Sequence, residues 1–379
     1  MSKLDVSNHI HRTVGEVVQK RIDFLKTGHK MQDLPEELWH ESFKFYMNDP
    51  NRKGGPNMRI IRLDPNKPSL TVTGFIFNKF VHPRENRFIT VREAARLQDF
   101  PDDLIFEGSL GSTQQQVGNA VPVRLAQAVL QSLTHALHKS GKLQTDTLNA
   151  LSLFSGAGGF DVGAEQVDAN GMKIQTTLCV DNWADACKTL SGYFKGRAKV
   201  VETDISQIED PATFYLLESA QTALPDIIYG GPPCQSFSQA GKQKSTFDLR
   251  GNLVYDFIRF VNSIRPKAFV MENVSNIKGV QEGELLKELI KAFQKAGYAT
   301  DAKILTAADY GTPQTRRRMF VIGIREDLHV RPGFPVPTHS MMPSLLDQPY
   351  STVGQALSDL PQAVSNSLKS QGEYAVEMQ

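Results

Sequence analysis

The segment with the most distinctive chemistry is an apolar run that leads through glycine and proline to a cysteine. Residues 226–238 read Asp-Ile-Ile-Tyr-Gly-Gly-Pro-Pro-Cys-Gln-Ser-Phe-Ser. Proline restricts its own φ and biases the preceding residue toward extended backbone, so the thiol of Cys234 is predicted to be held rigidly. A lone cysteine is most often a small buried hydrophobic residue. Its place at a strand's end, beside glycine and proline, favours a nucleophile instead.

A carboxyl group is predicted at the end of another strand. Residues 269–274 read Phe-Val-Met-Glu-Asn-Val, which places Glu272 after an apolar run. Burial beside apolar walls would raise the pKa of Glu272 and help it to hold a proton, as a general acid must. The ordinary alternative is a carboxylate that caps a helix.

Three consecutive arginines precede the apolar run 319–322. In extended backbone alternate side chains share a face, so Arg316 and Arg318 are predicted to converge on one site while Arg317 faces away. Guanidinium groups suit carbonyl oxygens and phosphates. A solvated run of charge is the ordinary alternative.

Glycines follow the first apolar run of the second half of the chain. Residues 154–160 read Phe-Ser-Gly-Ala-Gly-Gly-Phe, a composition typical of a strand-to-helix turn that presents backbone amides to a ligand. The pattern departs from the dinucleotide-binding GxGxxG, because Asp161 occupies the last glycine position. A tight turn without a ligand stays open as an alternative.

Acidic residues follow the next two predicted strands. Asp181 can accept both hydroxyls of a ribose, Trp183 can lie against an adenine ring, and Asp204 can accept from an adenine amino group. Taken singly, each carboxylate is more often a helix cap or a surface residue. In series they indicate a cofactor that contains adenosine and needs no phosphate-binding residues.

The elements that must position these residues alternate along 150–325, where short apolar runs are separated by longer amphipathic stretches. This alternation predicts an α/β fold with a doubly wound, mostly parallel sheet, in which ligands bind beyond the carboxyl ends of the strands. Helices are predicted at 90–100, 123–137 and 285–293. The predicted strands are 149–154, 177–180, 226–229, 268–271 and 318–324.

Composition is that of an ordinary soluble globular enzyme of two or three domains, with 379 residues, 40% apolar and 22% charged. A formal net charge of +1 neither supports nor excludes a nucleic-acid partner. The three cysteines lack the spacing of a disulfide framework or a zinc site, which predicts a cytoplasmic protein without a metal. No secretory signal or membrane-spanning run is predicted.

The motifs together resemble those of the DNA cytosine-C5 methyltransferase family, as found in bacterial restriction-modification systems. The resemblance covers roughly residues 55–360. Chance assembly of six such motifs is very improbable, although each is weak alone. They are Phe154-x-Gly156-x-Gly158-Gly159, Pro232-Pro233-Cys234-Gln235, Glu272-Asn273-Val274, Gln314-x-Arg316-x-Arg318, Arg92-Glu93-Ala94-Ala95-Arg96-Leu97-Gln98-x-Phe100-Pro101 and Gln116-Val117-Gly118-Asn119-Ala120-Val121-Pro122.

The resemblance implies a class I methyltransferase with a Rossmann-like sheet and a small target-recognition region. It implies that Cys234 attacks C6 of a cytosine flipped out of duplex DNA, and that Glu272 acts at the N3 side of the ring. Arg318 would hold the cytosine O2, and Arg316 would steady the thiolate or a phosphate. The methyl donor would be S-adenosylmethionine. The implied cofactor-binding residues are Phe154, Gly156, Gly158, Gly159, Asp181, Asn182, Trp183, Asp204, Ile205, Gly231, Pro233, Leu253, Asn119, Ala120 and Val121.

The order of the motifs departs from that of the family. Segments 92–101 and 116–122 resemble motifs that the family carries last, which implies a circular permutation with 139–148 as the linker between the usual chain ends. The predicted divisions are 1–80 as part of the target-recognition region, 81–138 as the displaced motifs, 139–148 as the linker, 149–330 as the cofactor-binding and catalytic domain, and 331–379 as a connection to or part of the recognition region.

Base recognition is expected to come from residues 1–75, from 326–379 or from both. Residues 239–253 resemble the family's mobile loop, which closes over the flipped base and brings Leu253 to the cofactor. Four candidate DNA contacts, for which loop structure is the ordinary alternative, are Lys53, Gly54, Gly55 and Arg59.

The expected partner is double-stranded DNA, bound by a monomer, and the family resemblance adds a cognate restriction endonuclease as a functional partner. Three alternatives stay open. An RNA cytosine-C5 methyltransferase is one, although the transfer-RNA relatives usually carry a Cys-Phe-Thr tripeptide that is missing here. A catalytically silent DNA-binding module is the second, although Cys234 and Glu272 are both present. A subunit whose recognition half is another polypeptide is the third.

Overall fold

The structure, a computed structural model, describes residues 6–48, 60–74, 76, 79–143, 145–233, 253–275 and 284–366. Its contacts divide the chain into two compact units. Unit 1 comprises Met1–Asn119, Thr312–Thr315 and Pro349–Gln379, and unit 2 comprises Ala120–Gly311 and Arg316–Gln348. The domain boundaries predicted from the sequence stay a prediction, because contact density does not assign recognition or catalysis to a segment.

The elements follow one another along the chain with strands and helices mixed throughout. In chain order they are β1 (Ile10–His11), α1 (Glu16–Phe24), α2 (Glu41–Met47), β2 (Ile61–Arg62), β3 (Phe80–Val81), α3 (Val91–Arg96), α4 (Leu110–Asn119), α5 (Val123–Lys139), β4 (Thr147–Leu153), α6 (Gly159–Glu165), β5 (Lys173–Asp181), α7 (Ala184–Phe194), β6 (Lys199–Glu202), α8 (Pro211–Ser219), β7 (Ile227–Gly230), α9 (Leu253–Ile264), β8 (Ala268–Val274), α10 (Glu284–Lys295), β9 (Tyr298–Thr306), β10 (Arg317–Arg325), β11 (His339–Ser340), β12 (Gln348–Pro349), α11 (Val353–Leu357) and β13 (Val364–Ser365).

Unit 2 is built on a sheet that has seven strands within the described residues, in the order β6-β5-β4-β7-β8-β10-β9. All pairs are parallel except those of β10, which runs antiparallel to both β8 and β9. This confirms the predicted doubly wound, mostly parallel sheet. The sequence did not predict β6 and β9, which lie at the two ends of the strand order. Both are partly exposed and interrupted by polar residues, so neither forms a continuous apolar run.

Helices cover both faces of this sheet because alternate residues of a buried strand point to opposite sides. Ala150 of β4 packs in a core with α5 and α6, whereas Leu151 packs in a second core with α8, α9 and α10. The strands that hold the functional residues are therefore rigid. No helix in the described part of the chain is long and apolar enough to cross a membrane.

The amphipathic helix α5 lies directly against α6. Its buried positions recur at helical spacing, as the sequence predicted. Contact is close where the chain enters α5, because a Cβ atom on Gly159 would overlap the carbonyl oxygen of Val121. Val121, near the end of the displaced motif 116–122, thus packs within unit 2 on the glycine turn.

In unit 1 the two ends of the described chain are neighbours. Strands β1 and β13 pair in parallel, with Ile10 opposite Val364. The buried imidazole of His9 reinforces the pairing, because its Nε2 lies 2.8 Å from the carbonyl oxygen of Pro361.

Candidate active site

The predicted nucleophile and several predicted DNA contacts lie outside the described residues, whereas the chain that leads to the nucleophile is described as far as Pro233. The site can therefore be built from the strands that bring this segment to its neighbours. The predicted residues outside the described part are Cys234, residues 239–252 of the predicted loop, Lys53, Gly54, Gly55 and Arg59.

Parallel pairing of β7 with β8 places the approach to Cys234 beside a carboxyl and an amide. Gly230 lies opposite Met271 in the sheet. Beyond this pair, the Nδ2 of Asn273 donates to the carbonyl oxygen of Pro232 at 3.1 Å, which anchors the backbone two residues before the cysteine. A Cβ atom on Gly231 would lie 2.8 Å from a carboxyl oxygen of Glu272, so the backbone of Gly231 and the Glu272 carboxyl are close neighbours.

Glu272 is buried and lies against a positive charge. Its Oε1 is 2.8 Å from the Nε of Arg318, which β10 contributes from the antiparallel neighbour of β8. Burial raises the pKa of Glu272, and the positive charges of Arg318 and Arg316 offset part of that increase. The side chain is therefore a carboxyl that can hold a proton beside a guanidinium, and the helix-cap alternative does not apply to this strand residue.

The three arginines are divided between two sides, as their alternation predicted. Arg316 is only 1% exposed and Arg318 is largely buried, whereas Arg317 is exposed. Burial and the neighbouring charge of Arg318 lower the pKa of Arg316, while Glu272 acts in the opposite direction. Two guanidinium groups thus act on one carboxyl, which produces a compact group able to bind carbonyl oxygens or an anion.

The glycine turn joins β4 to α6 through a left-handed residue. Gly158, the residue before the helix, has φ +87°, a conformation that side chains with a Cβ rarely adopt. The turn is tied to the end of β5, because the amide of Gly156 donates to Oδ2 of Asp181 at 2.8 Å. The Oδ1 of Asp181 accepts from the amide of Trp183 at 2.9 Å. The carboxylate that was predicted to bind a ribose therefore also holds the turn.

Asp204 and Ile205 begin a 3-10 turn after β6. The Oδ1 of Asp204 accepts from the amide of Ser206 at 2.9 Å, so this carboxylate does cap a turn, as the ordinary alternative proposed. Arg259 of α9, which sequence reasoning missed, donates from Nη2 to the carbonyl oxygen of Ile205 at 2.7 Å and also binds the carbonyl oxygen of Ile208. No sequence signal marked it, since a single polar residue on an amphipathic helix is ordinary.

Comparison with known proteins decides the family. The sequence profile described as C-5 cytosine-specific DNA methylase matches residues 5–135 and 148–378 of the chain. The chain belongs to this family. The resemblance predicted from the motifs is thereby confirmed.

Curated relatives of the chain are bacterial Type II methyltransferases. It is 37% identical over 220 residues to M.NgoFVII of Neisseria gonorrhoeae, an alignment that covers 57% of this chain and 54% of the relative. It is 40% identical over 185 residues to M.FnuDI of Fusobacterium nucleatum, covering 48% of each. It is 38% identical over 231 residues to M.AquIA of a Picosynechococcus strain, covering 56% of this chain and 89% of the relative. The aligned part spans about half the length of the first two relatives.

The residues predicted to bind the cofactor fall in unit 2, with one exception. Asn119 ends α4 and belongs to unit 1. Leu253 is the first residue of α9 and is partly buried. The others lie at the carboxyl ends of β4, β5, β6 and β7 or in the segment that packs on the glycine turn: Phe154, Gly156, Gly158, Gly159, Asp181, Asn182, Trp183, Asp204, Ile205, Gly231, Pro233, Ala120 and Val121.

Proposed function

We propose that the chain transfers a methyl group from S-adenosylmethionine to C5 of a cytosine within a short, specific sequence of duplex DNA. One observation carries the proposal beyond family membership: the buried carboxyl of Glu272, paired with Arg318, lies against Gly231, three residues before Cys234. Activation of a pyrimidine requires a nucleophile, an acid and groups that bind carbonyl oxygens, and the proposal assigns these roles to Cys234, to Glu272 and to Arg316 and Arg318.

The residues at the ends of β4, β5 and β6 fit S-adenosylmethionine by their chemistry. They offer two carboxylates, Asp181 and Asp204, and two aromatic rings, Phe154 and Trp183, and none of the implied cofactor-binding residues is Lys or Arg. Such a set suits hydroxyls, an adenine ring and a sulfonium cation rather than a phosphate. A Cβ atom on Gly156 would meet no atom within 4 Å, so the turn borders open space.

The proposed reaction begins when the thiolate of Cys234 adds to C6 of the cytosine. Glu272 then stabilises the negative charge that develops on the N3 side of the ring, and Arg318 binds O2. The positive charge of Arg316 stabilises the thiolate. When bound, S-adenosylmethionine would supply an electrophilic methyl group to C5, and its sulfur would keep the electron pair of the broken methyl–sulfur bond. Loss of the C5 proton to solvent and departure of the thiolate restore the aromatic ring. Because a stacked base cannot reach buried groups, the cytosine must first leave the duplex, at a cost of a few kcal/mol.

The biological setting that we propose is a bacterial restriction-modification system, in which the chain acts in the cytoplasm as a monomer on DNA. This setting is supported by the curated relatives, which are named Type II methyltransferases. A cognate endonuclease would then be a functional partner. Recognition of the target sequence would come from residues 1–80 and 331–379, which are short enough that a separate recognition polypeptide remains the competing proposal.

The function is tested with the purified chain, labelled S-adenosylmethionine, plasmid DNA and bulk transfer RNA. We expect label in DNA and none in transfer RNA, and bisulfite sequencing should locate the modified cytosine in one short motif. Label in transfer RNA alone would favour the RNA alternative. A folded chain that binds S-adenosylmethionine but modifies neither nucleic acid would contradict an autonomous DNA enzyme.

We further propose that the motif order arose by circular permutation. The family profile matches in two stretches, and the gap of 136–147 overlaps the predicted linker 139–148. The packing of α5 on α6 and the pairing of β1 with β13 both support this order, because they join the displaced motif to the glycine turn and bring the present ends together.

The permutation predicts that the chain can be reopened at the linker. A variant cut at residue 144 and closed by a Gly/Ser linker between the present ends should fold, with a Tm within about 5 °C of the parent and methylation within about threefold. A matched control, cut at Ser155 in the glycine turn, should lose both its thermal stability and its methylation activity. Thermal melts and methyl incorporation measure the outcome, and equal behaviour of the two cut chains would refute the permutation.

A further inference from the structure

Beneath the glycine turn lies a buried carboxyl that the proposed reaction does not use. Asp161 of α6 has no exposed surface. Its Oδ1 accepts from the hydroxyl of Tyr229 at 3.0 Å and from the thiol of Cys179 at 3.5 Å. The Tyr229 hydroxyl lies 2.6 Å from Oγ1 of Thr176, so one chain of hydrogen bonds joins α6, β7 and β5.

The cost of this arrangement argues against simple packing. Burial raises the pKa of Asp161 to about 6, which measures how strongly the surroundings disfavour its charge. An apolar residue would fill the same space without that cost. What the carboxyl adds over an apolar residue is the pair of hydrogen bonds that its Oδ1 accepts.

The two segments that Asp161 connects belong to the two halves of the site. Asp161 lies three residues after Gly158, the residue that ends the glycine turn. Tyr229 is the third residue of β7, five residues before Cys234. The ring of Phe160 adds a second link between them, stacked on the Tyr229 ring with centroids 5.3 Å apart.

We propose that Asp161 is a positioning residue that couples the glycine turn to the strand that leads to Cys234. In this proposal Asp161 contacts neither the DNA nor the methyl donor. It acts by holding Tyr229 at a constant distance from the glycine turn, and Tyr229 in turn holds the start of the Gly-Gly-Pro-Pro segment. This inference rests on the proposed function, since it requires the turn to bind the methyl donor and Cys234 to react.

The other face of the sheet supplies a matched control. There the hydroxyl of Tyr215 lies 2.7 Å from Oγ1 of Thr177, the residue that follows Thr176 in β5. Tyr215 is also fully buried, but it belongs to α8 and packs in the second core. Y229F and Y215F therefore each remove one buried tyrosine–threonine hydrogen bond, and only Y229F removes a link to the site.

The test compares D161A, D161N, Y229F and Y215F by thermal melts, calorimetric binding of S-adenosylmethionine and single-turnover methyl transfer. D161A should weaken cofactor binding and slow transfer at saturating cofactor, each by about tenfold, because sub-ångström misplacement is costly. D161N keeps an acceptor oxygen and should stay within about threefold of the parent. Y229F should show a smaller loss in both measurements, and Y215F should lose only stability.

The inference is overturned if D161A and Y229F change cofactor binding and transfer no more than Y215F does at the same loss of Tm. If D161A does not fold, the comparison of Y229F with Y215F decides in the same way. An inactive parent chain would instead contradict the proposed function, and cofactor binding would still report whether the link to the glycine turn exists.

Discussion

Cys234→Ala lowers methyl transfer by roughly three orders of magnitude or more while binding of S-adenosylmethionine persists. The expected loss is this large because C5 of cytosine is a weak nucleophile until a group adds at C6, and nothing else in the proposed mechanism can add there. Cofactor binding depends on the ends of β4, β5 and β6, which the substitution leaves intact. Single-turnover transfer and calorimetry measure the two effects separately.

A second cysteine provides the control for this variant. The thiol of Cys187 is buried and lies 3.6 Å from the carbonyl oxygen of Asp181, and burial raises its pKa to about 12, which disfavours the reactive thiolate. Cys187→Ser should keep transfer within about threefold, as expected for a small packing change. Duplex DNA with 5-fluorocytosine in the target site should trap the parent chain covalently and leave Cys234→Ala untrapped. Full activity of Cys234→Ala would end the covalent mechanism.

Glu272→Gln lowers the rate of methyl transfer by about two to four orders of magnitude, the usual contribution of a positioned general acid. The amide is close in shape but cannot deliver a proton, and it leaves Arg318 without its carboxylate partner at 2.8 Å. The surface pair of Glu284 with Lys287 has the same distance of 2.8 Å and supplies the control. Glu284→Gln should leave the rate unchanged, because an exposed pair contributes little.

The stability of the parent chain relative to Glu272→Gln should also depend on pH, with a definite sign. Because burial raises the pKa of Glu272 in the folded chain, its contribution to stability is fully present below the unfolded value of about 4.5 and is lost as pH rises through the folded value. The parent should therefore lose stability relative to Glu272→Gln as the pH rises from about 4.5 through the pKa of Glu272 in the folded chain. Thermal melts of both chains across the window measure it, and a difference that does not change with pH would show that the carboxyl is not desolvated.

The strands that hold the site were predictable from the sequence, and the reason is their burial. The central strands have helices on both sides, so they appear as apolar runs. The predicted strands 268–271 and 318–324 lie within the observed Ala268–Val274 and Arg317–Arg325. Edge strands have no such signature. Lys199–Glu202 and Tyr298–Thr306 therefore became visible only through their pairing with β5 and β10.

The division of the three arginines was also predictable, since alternation in a strand is a local property. The partner of Arg318 was not predictable from the sequence. Glu272 lies 46 residues earlier in the numbering, and only the antiparallel pairing of β10 with β8 brings the two side chains to 2.8 Å. The hydrogen bond between Asp181 and Gly156 was not predictable for the same reason, because it joins the end of β5 to the turn that follows the neighbouring strand β4.

The sequence by itself determined the family and the α/β class of the fold, because motifs and apolar runs are properties of short segments. Tertiary structure alone decided the electrostatics. It buried Glu272 beside Arg318, assigned the Asp181 carboxylate to the glycine turn and placed Asp161 under Tyr229. A pKa or a hydrogen bond of this kind depends on neighbours that are distant in the chain, and only the packed sheet supplies them.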